Sequence, residues 1–94
     1  AADVAQYTAR ISAATRTHPD LRLGVSPRGT LALARGSQGM ALLRGREFVT
    51  PDIVKAMAGA VLEHRLIVRP HAAANGRTAR DILAEVLDSL PPPV

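Results

Sequence analysis

Leu23-Gly24-Val25-Ser26-Pro27-Arg28-Gly29-Thr30 reads as the start of a helix. Serine is a strong N-cap residue, and proline suits the first helical position, where its missing N–H is not needed and its fixed φ is already helical. Arg28 then falls in the first turn. A helix N-terminus carries unpaired N–H groups and positive dipole potential, so a cation there is locally unfavourable unless an anion comes close. On this local grammar alone, Arg28 points into water, pairs with a nearby carboxylate, or meets an anion from elsewhere.

Working outward, the helix that opens after Ser26 is predicted to run to Arg44, with Gly45 as a left-handed C-cap. Leu33, Gly36, Met40 and Leu43 form one stripe, widened by Leu31, Ala34, Ala41 and Leu42. Gly36 and Gly39 lie near one another in this helix, which fits either the close approach of another helix or a kink. Upstream, Asp3 and Gln6 resemble a capping box, and Val4, Tyr7, Ile11 and Ala14 recur at helical spacing. Pro19 disfavours helical geometry at His18, so this first helix should end near Thr17, leaving Leu21-Arg22-Leu23 as a short run into the opening motif.

Downstream, Phe48, the only phenylalanine, is expected to be buried between helices. Thr50-Pro51-Asp52 repeats the cap-proline grammar, and Ile53, Val54, Met57 and Ala58 give the buried face of a third helix. Gly59 predicts a break, followed by a short helix over Val61 to Leu66; Leu66-Ile67-Val68 is β-branched enough to allow extended structure. Residues 69–77 read as a loop with a turn at Asn75-Gly76. Thr78 and Asp81 form a capping box for a last helix, whose apolar face is Ile82, Leu83, Val86, Leu87 and Leu90. The domain is therefore expected over residues 1–90, with a disordered Pro-rich tail at 91–94.

The chain has 94 residues, enough for one core. Apolar residues make up 47% but aromatics only 2%, so the core must be built from Ala, Leu, Val and Ile. That balance favours helices over a sheet and predicts an all-α bundle of four to five short helices. There is no cysteine, which excludes disulfides and thiolate-ligated metal. No stretch is long and apolar enough to span a bilayer, so a soluble domain with no membrane partner is expected. The net charge of +4 rests almost wholly on arginine, with Lys55 the only lysine, which admits nucleotides, nucleic acids or acidic proteins as partners.

Catalysis by this chain alone finds little support. Ser26 lacks a local histidine base, and His18, His64 and His71 lack metal-ligand spacing, so no catalytic residue and no metal site are expected. Glu47, Asp52 and Glu63 are scattered, and no Gly-Lys-Ser/Thr phosphate loop occurs.

Thr17-His18-Pro19-Asp20-Leu21, Leu23-Gly24-Val25-Ser26-Pro27-Arg28, Gly45-Arg46-Glu47-Phe48-Val49-Thr50-Pro51-Asp52-Ile53-Val54 and Val61-Leu62-Glu63-His64-Arg65 together resemble the C-terminal helical lid of MoxR-type AAA+ ATPases. The resemblance runs from about Val4 to Leu90. It implies that Arg28 is the sensor 2 arginine, reaching the phosphates of ATP, with its Mg, held by an upstream nucleotide-binding domain, and that Ser26 and Pro27 aim it. It further implies a cytoplasmic ring-shaped oligomer that remodels partner proteins or helps insert their cofactors. The chain begins at Ala1 and is accordingly expected to be part of a longer protein.

Gly29 stands where the family has alanine, and a glycine there would loosen the first turn. Arg65 is expected to satisfy carbonyls at a helix end, to pair with Glu63 or Glu47, or to face a neighbouring subunit. With Arg28 as a lone phosphate contact, the isolated chain is expected neither to hydrolyse ATP nor to bind it measurably. The alternatives are a helical nucleic-acid-binding domain using Arg35, Arg44 and Arg46, though nucleic acid is the less favoured partner, and a protein-interaction adaptor with no nucleotide role.

Overall fold

Burial of an aliphatic stripe from each helix drives the architecture. The computed structural model describes residues 2–91, with side chains from residue 4 onward. Among these residues there are five α-helices and a two-stranded ribbon. Helix α1 spans Ala2–Thr17, strand β1 Leu21–Leu23, α2 Pro27–Leu43 and α3 Pro51–Leu62; a 3-10 turn at Glu63–Arg65 leads into β2 (Ile67–Val68), α4 (Pro70–Ala74) and α5 (Ala79–Ser89). Tyr7 and Ile11 of α1, Leu33 of α2, Val54, Ala58 and Leu62 of α3, and Ile82 and Leu83 of α5 meet in one core. The all-α expectation holds, with the ribbon as an addition. The Asp3 side chain and residues 92–94, on which the first capping box and most of the tail were placed, lie outside the described residues.

Helices begin after Ser26, Thr50 and Thr78, as the cap residues predict. Ser26 caps α2 and Thr78 caps α5 with a complete capping box: Asp81 N donates to Thr78 Oγ1 at 3.2 Å, and Thr78 N donates to Asp81 Oδ2 at 3.0 Å. Helix α2 ends at Leu43, and Gly45 adopts φ +68°, the left-handed geometry that a residue without Cβ accepts most easily. Thr50 occupies the cap position of α3, but its hydroxyl bonds the Asp52 carboxylate instead of a backbone N–H.

Several sequence expectations are overturned. Helix α3 continues through Gly59 to Leu62, because the glycine penalty of about 1 kcal/mol is smaller than what the buried Val54, Ala58 and Leu62 contribute. The helix foreseen over Val61 to Leu66 is therefore the end of α3 plus the 3-10 turn. Residues 69–77 are not all loop: Pro70 sits at the first position of α4, as Pro27 and Pro51 do in α2 and α3, and three alanines follow.

The inward row of α2 is Gly29, Leu33, Ser37 and Ala41, spaced by four, while Leu42 and Leu43 are 77% and 84% exposed. Phe48 is 67% exposed; its neighbour Val49 packs against the core instead. Gly36 marks a close helix approach, since a Cβ there would lie 3.1 Å from Met57 Cε and 3.4 Å from Val61 Cγ2 of α3.

The ribbon pairs β1 and β2 antiparallel, with Leu21 opposite Val68 and Leu23 opposite Ile67. Arg69 N donates to Asp20 O at 2.8 Å and extends the pairing by one bond. This joins the segment before α2 to the segment after α3. No described helix is long and apolar enough to cross a membrane.

Ser37 is fully buried, and among the described residues its Oγ has no hydrogen-bond partner. A buried hydroxyl without a partner is destabilising, and alanine is also the better helix former. Ser37→Ala is expected to raise the unfolding free energy by about 1 kcal/mol, seen as a higher urea midpoint with an unchanged m-value; a lower midpoint contradicts this reading.

Candidate functional site

Arg28 owes its position to the way the loop before α2 is fastened to α1. Ser26 has φ −75° and ψ 165°, and its Oγ accepts from Gly29 N at 3.2 Å. Val25 N donates to Thr15 Oγ1 at 2.9 Å, and Arg16 Nε donates to Val25 O at 2.7 Å, so the two peptide units that flank Val25 are each held by α1. One turn into α2, Thr30 Oγ1 donates to Ser12 Oγ at 2.6 Å, and Ser12 Oγ donates to Thr8 O at 3.1 Å. The buried Thr8, Ser12 and Thr15 hydroxyls of α1 each donate to a carbonyl of their own helix, and two of them, Ser12 and Thr15, also accept from the α2 side.

Gly24 permits this contact. A Cβ there would lie 2.6 Å from Arg16 N and 2.7 Å from both Arg16 Cα and Thr15 C, all of them backbone atoms of α1. Gly29 also proves to be a packing position: a Cβ would lie 2.8 Å from Val25 Cγ1 and 3.5 Å from Arg65 Cδ. Val25 and the Arg65 stem fill the space beside the first turn, so the glycine does not leave that turn loose. Ser26, Pro27 and Arg28 are exposed, and among the described residues Arg28 has no carboxylate partner.

Beside this helix start lies a hollow lined by Arg16, Arg22, Gly24, Val25, Ser26 and Arg65. Arg65 does not pair with Glu63 or Glu47. Its Nε donates to Val61 O at 3.1 Å, near the end of α3, while Glu63 faces Arg80 at 3.6 Å. Arg35, Arg44 and Arg46 are exposed further along α2 and just beyond it, and Arg44 and Arg46 neighbour Asp52. The Asp52 carboxyl is held below its usual range by the Thr50 hydroxyl first and by Arg46 second.

A second polar cluster braces the opposite flank of the ribbon. Asp20 N donates to His18 Nδ1 at 3.1 Å, which leaves the proton of the neutral ring on Nε2, 3.1 Å from Glu85 Oε1. Arg77 Nη2 donates to Glu85 Oε2 at 2.5 Å, and its Nε lies 3.3 Å from Asp20 Oδ2, within ion-pair distance but without hydrogen-bond alignment. His71 Nε2 is 3.2 Å from Asp20 Oδ1. Arg77 first, and His18 second, hold the Glu85 carboxyl below the ordinary carboxylate range. Sequence reasoning misses this cluster because its members share no spacing. No group of three or more metal-ligating side chains gathers among the described residues.

Residues 13–86 match the family model described as the AAA lid domain. The chain is 38% identical over 91 residues to the uncharacterized protein YeaC of Bacillus subtilis, covering 97% of this chain and 28% of that one. It is 44% identical over 50 residues to the protein MoxR of Paracoccus denitrificans, covering 53% and 15%, and 30% identical over 93 residues to the chaperone MoxR1 of Mycobacterium tuberculosis, covering 89% and 25%. A solved crystal structure from Cytophaga hutchinsonii, of a protein provisionally assigned as an ATPase, superposes with a TM-score of 0.91 at 26% identity, over 97% of this chain and 30% of that one. The chain therefore spans between 15% and 28% of the length of the curated relatives it matches.

Two outcomes follow from this packing. Gly24→Ala forces a Cβ into the α1 backbone and is expected to lower stability by about 3 kcal/mol, read from denaturant unfolding, with Val25 N losing its hydrogen-exchange protection; full protection in the variant contradicts the close approach. Because the Glu85 carboxyl is depressed in the folded state, its contribution is present above the unfolded carboxylate pKa, about 4.3 for Glu, and is lost as the pH falls through the lower folded value. Glu85→Gln is expected to lower the thermal midpoint at neutral pH and to flatten its decline on acidification; an unchanged acid limb argues against the bridge.

Proposed function

The chain belongs to the AAA lid domains, of the MoxR type, and from that premise we propose that Arg28 is its sensor 2 arginine, contacting the phosphates of ATP held with Mg by an upstream nucleotide-binding domain. The observation that carries this reading is the fastening of the helix start. Arg28 projects from a first turn clamped through Val25, Ser26 and Thr30, and among the described residues no acid pairs with it.

A guanidinium so placed offers a planar fork of donors to a phosphate oxygen, and charge-assisted bonds of that kind are stronger than neutral ones. It offsets charge that shifts during phosphoryl transfer. A contact that exists only while the terminal phosphate is present also biases the lid toward one position, by the difference in free energy between the two nucleotide states. The rigid seam to α1 matters here, because a loosely held helix start would absorb that bias locally.

In this proposal the longer protein is a cytoplasmic, ring-forming AAA+ ATPase that couples ATP state to remodelling of partner proteins or insertion of their cofactors. The domain comprises residues 1–90, with residues 91–94 as its tail. The nucleic-acid reading is weaker: Arg44 and Arg46 share their surface with the acid Asp52 and with the exposed Leu42, Leu43 and Phe48.

Arg28→Ala in the full-length protein tests the proposal. Losing a charge-assisted contact of about 1.5–3 kcal/mol corresponds to a fall of roughly 10- to 150-fold in ATP turnover. Unchanged turnover together with unchanged nucleotide affinity contradicts the role.

A further inference from the structure

We propose that the hollow beside the α2 start is a second phosphate-binding element, in which Arg65 and Arg16, with Arg22 on the rim, hold phosphate groups of the same nucleotide polyphosphate that Arg28 meets. The identity of the ligand as a nucleotide rests on the reading of Arg28; the site itself rests on its own geometry.

Three arginines from three separate elements line this hollow: Arg16 from the end of α1, Arg22 from β1 and Arg65 from the 3-10 turn. Among the described residues no Asp or Glu lines it. The nearby acids are engaged elsewhere, Glu63 with Arg80 and Asp20 with Arg77 and His71. Gathering like charges around one concavity without a counter-charge is unfavourable, and an anion relieves it.

Two of the guanidiniums are also held in place. Arg16 is anchored by Nε on Val25 O at 2.7 Å and Arg65 by Nε on Val61 O at 3.1 Å, and among the described residues neither has a recorded partner on its terminal nitrogens. The Arg65 stem is further confined against Gly29, the residue after Arg28. An anchored Nε with free terminal nitrogens leaves little rotamer freedom to lose on binding. Arginine is the residue whose fork matches phosphate in this way, and the chain's single lysine, Lys55, lies on α3 and not in this group.

The test is titration of sodium tripolyphosphate into the 94-residue chain at low ionic strength, followed by the Nε–Hε and backbone amide resonances. A lone Arg28 gives no measurable binding. The four arginines together are expected to give a dissociation constant on the order of millimolar that weakens with added salt. Arg16 and Arg65 signals should move together. Arg65→Gln and Arg22→Gln are each expected to weaken binding by roughly tenfold, and Arg35→Gln to leave it unchanged. Arg65→Lys, which keeps the charge and most of the stem, should also weaken it, and thermal melts check that each variant is folded.

Shifts confined to the Arg28 region, with Arg65→Gln neutral, overturn the hollow and leave the sensor reading standing. Binding that depends on Arg65 and Arg22 but not on Arg28 supports the hollow, while the sensor reading is then decided by turnover in the full-length protein. Equal competition by a short glutamate peptide, or tighter Arg65-dependent binding of duplex DNA, overturns the phosphate-chain assignment in favour of an acidic protein surface or a nucleic acid.

Discussion

The fixing of one residue organises this domain. Val25 is gripped through its N–H by Thr15 and through its carbonyl by Arg16, with Gly24 lying directly against the α1 backbone. Everything that gives the α2 start its direction follows from that grip. Ser26 is placed to cap, Pro27 continues into the helix, and Thr30 closes the seam one turn on by bonding Ser12. Buried, satisfied hydrogen bonds define geometry more sharply than aliphatic packing does, since a shifted partner leaves a polar group unpaired in low dielectric. The core of Leu, Ile, Val and Ala holds the helices together, whereas the hydroxyl seam sets where one of them begins.

The division of labour among arginines follows the same logic. Arg77 and Arg80 face acids, and Arg77 braces the ribbon flank through Glu85 and Asp20. Arg16 and Arg65 are fixed by backbone carbonyls, which positions them without neutralising them. A carboxylate partner would have cancelled the charge that a phosphate site requires. The positive balance of the chain is thus not spread evenly: part of it is consumed internally and part is held ready at one end of α2.

Much of this was legible in the sequence, and the boundary between legible and illegible is physical. Helix starts at Ser26 and Thr78 were readable because capping is local chemistry, decided within four residues. The C-terminal glycine of α2 was readable for the same reason. Failures arose where tertiary contacts decide. Gly59 does not break α3, because neighbouring residues bury the helix face. Phe48 stays outside because α2 and α3 already meet closely at Gly36, and Val49 takes the inward place. Ser12 and Thr15 look like polar interruptions of an apolar stripe, and only the fold reveals that they receive the first turn of α2 and the loop before it. Arg28 was singled out from its motif, but Arg16, Arg22 and Arg65 share no spacing and meet only in space.

The short ribbon carries a kinetic implication. Strands β1 and β2 contribute only five residues, yet their pairing brings Arg22 and Arg65 together across the whole of α2 and α3. Such a pairing is a non-local event, whose loop-closure entropy must be met before any contact rewards it. The helices can form and begin to pack from local contacts, but the basic hollow has no precursor in any one of them. A chain emerging during synthesis therefore carries α1, α2 and α3 before it carries the hollow, and the cluster of positive charge assembles only once the ribbon has closed. Until then its arginines are dispersed, and a phosphate finds no converging set of donors.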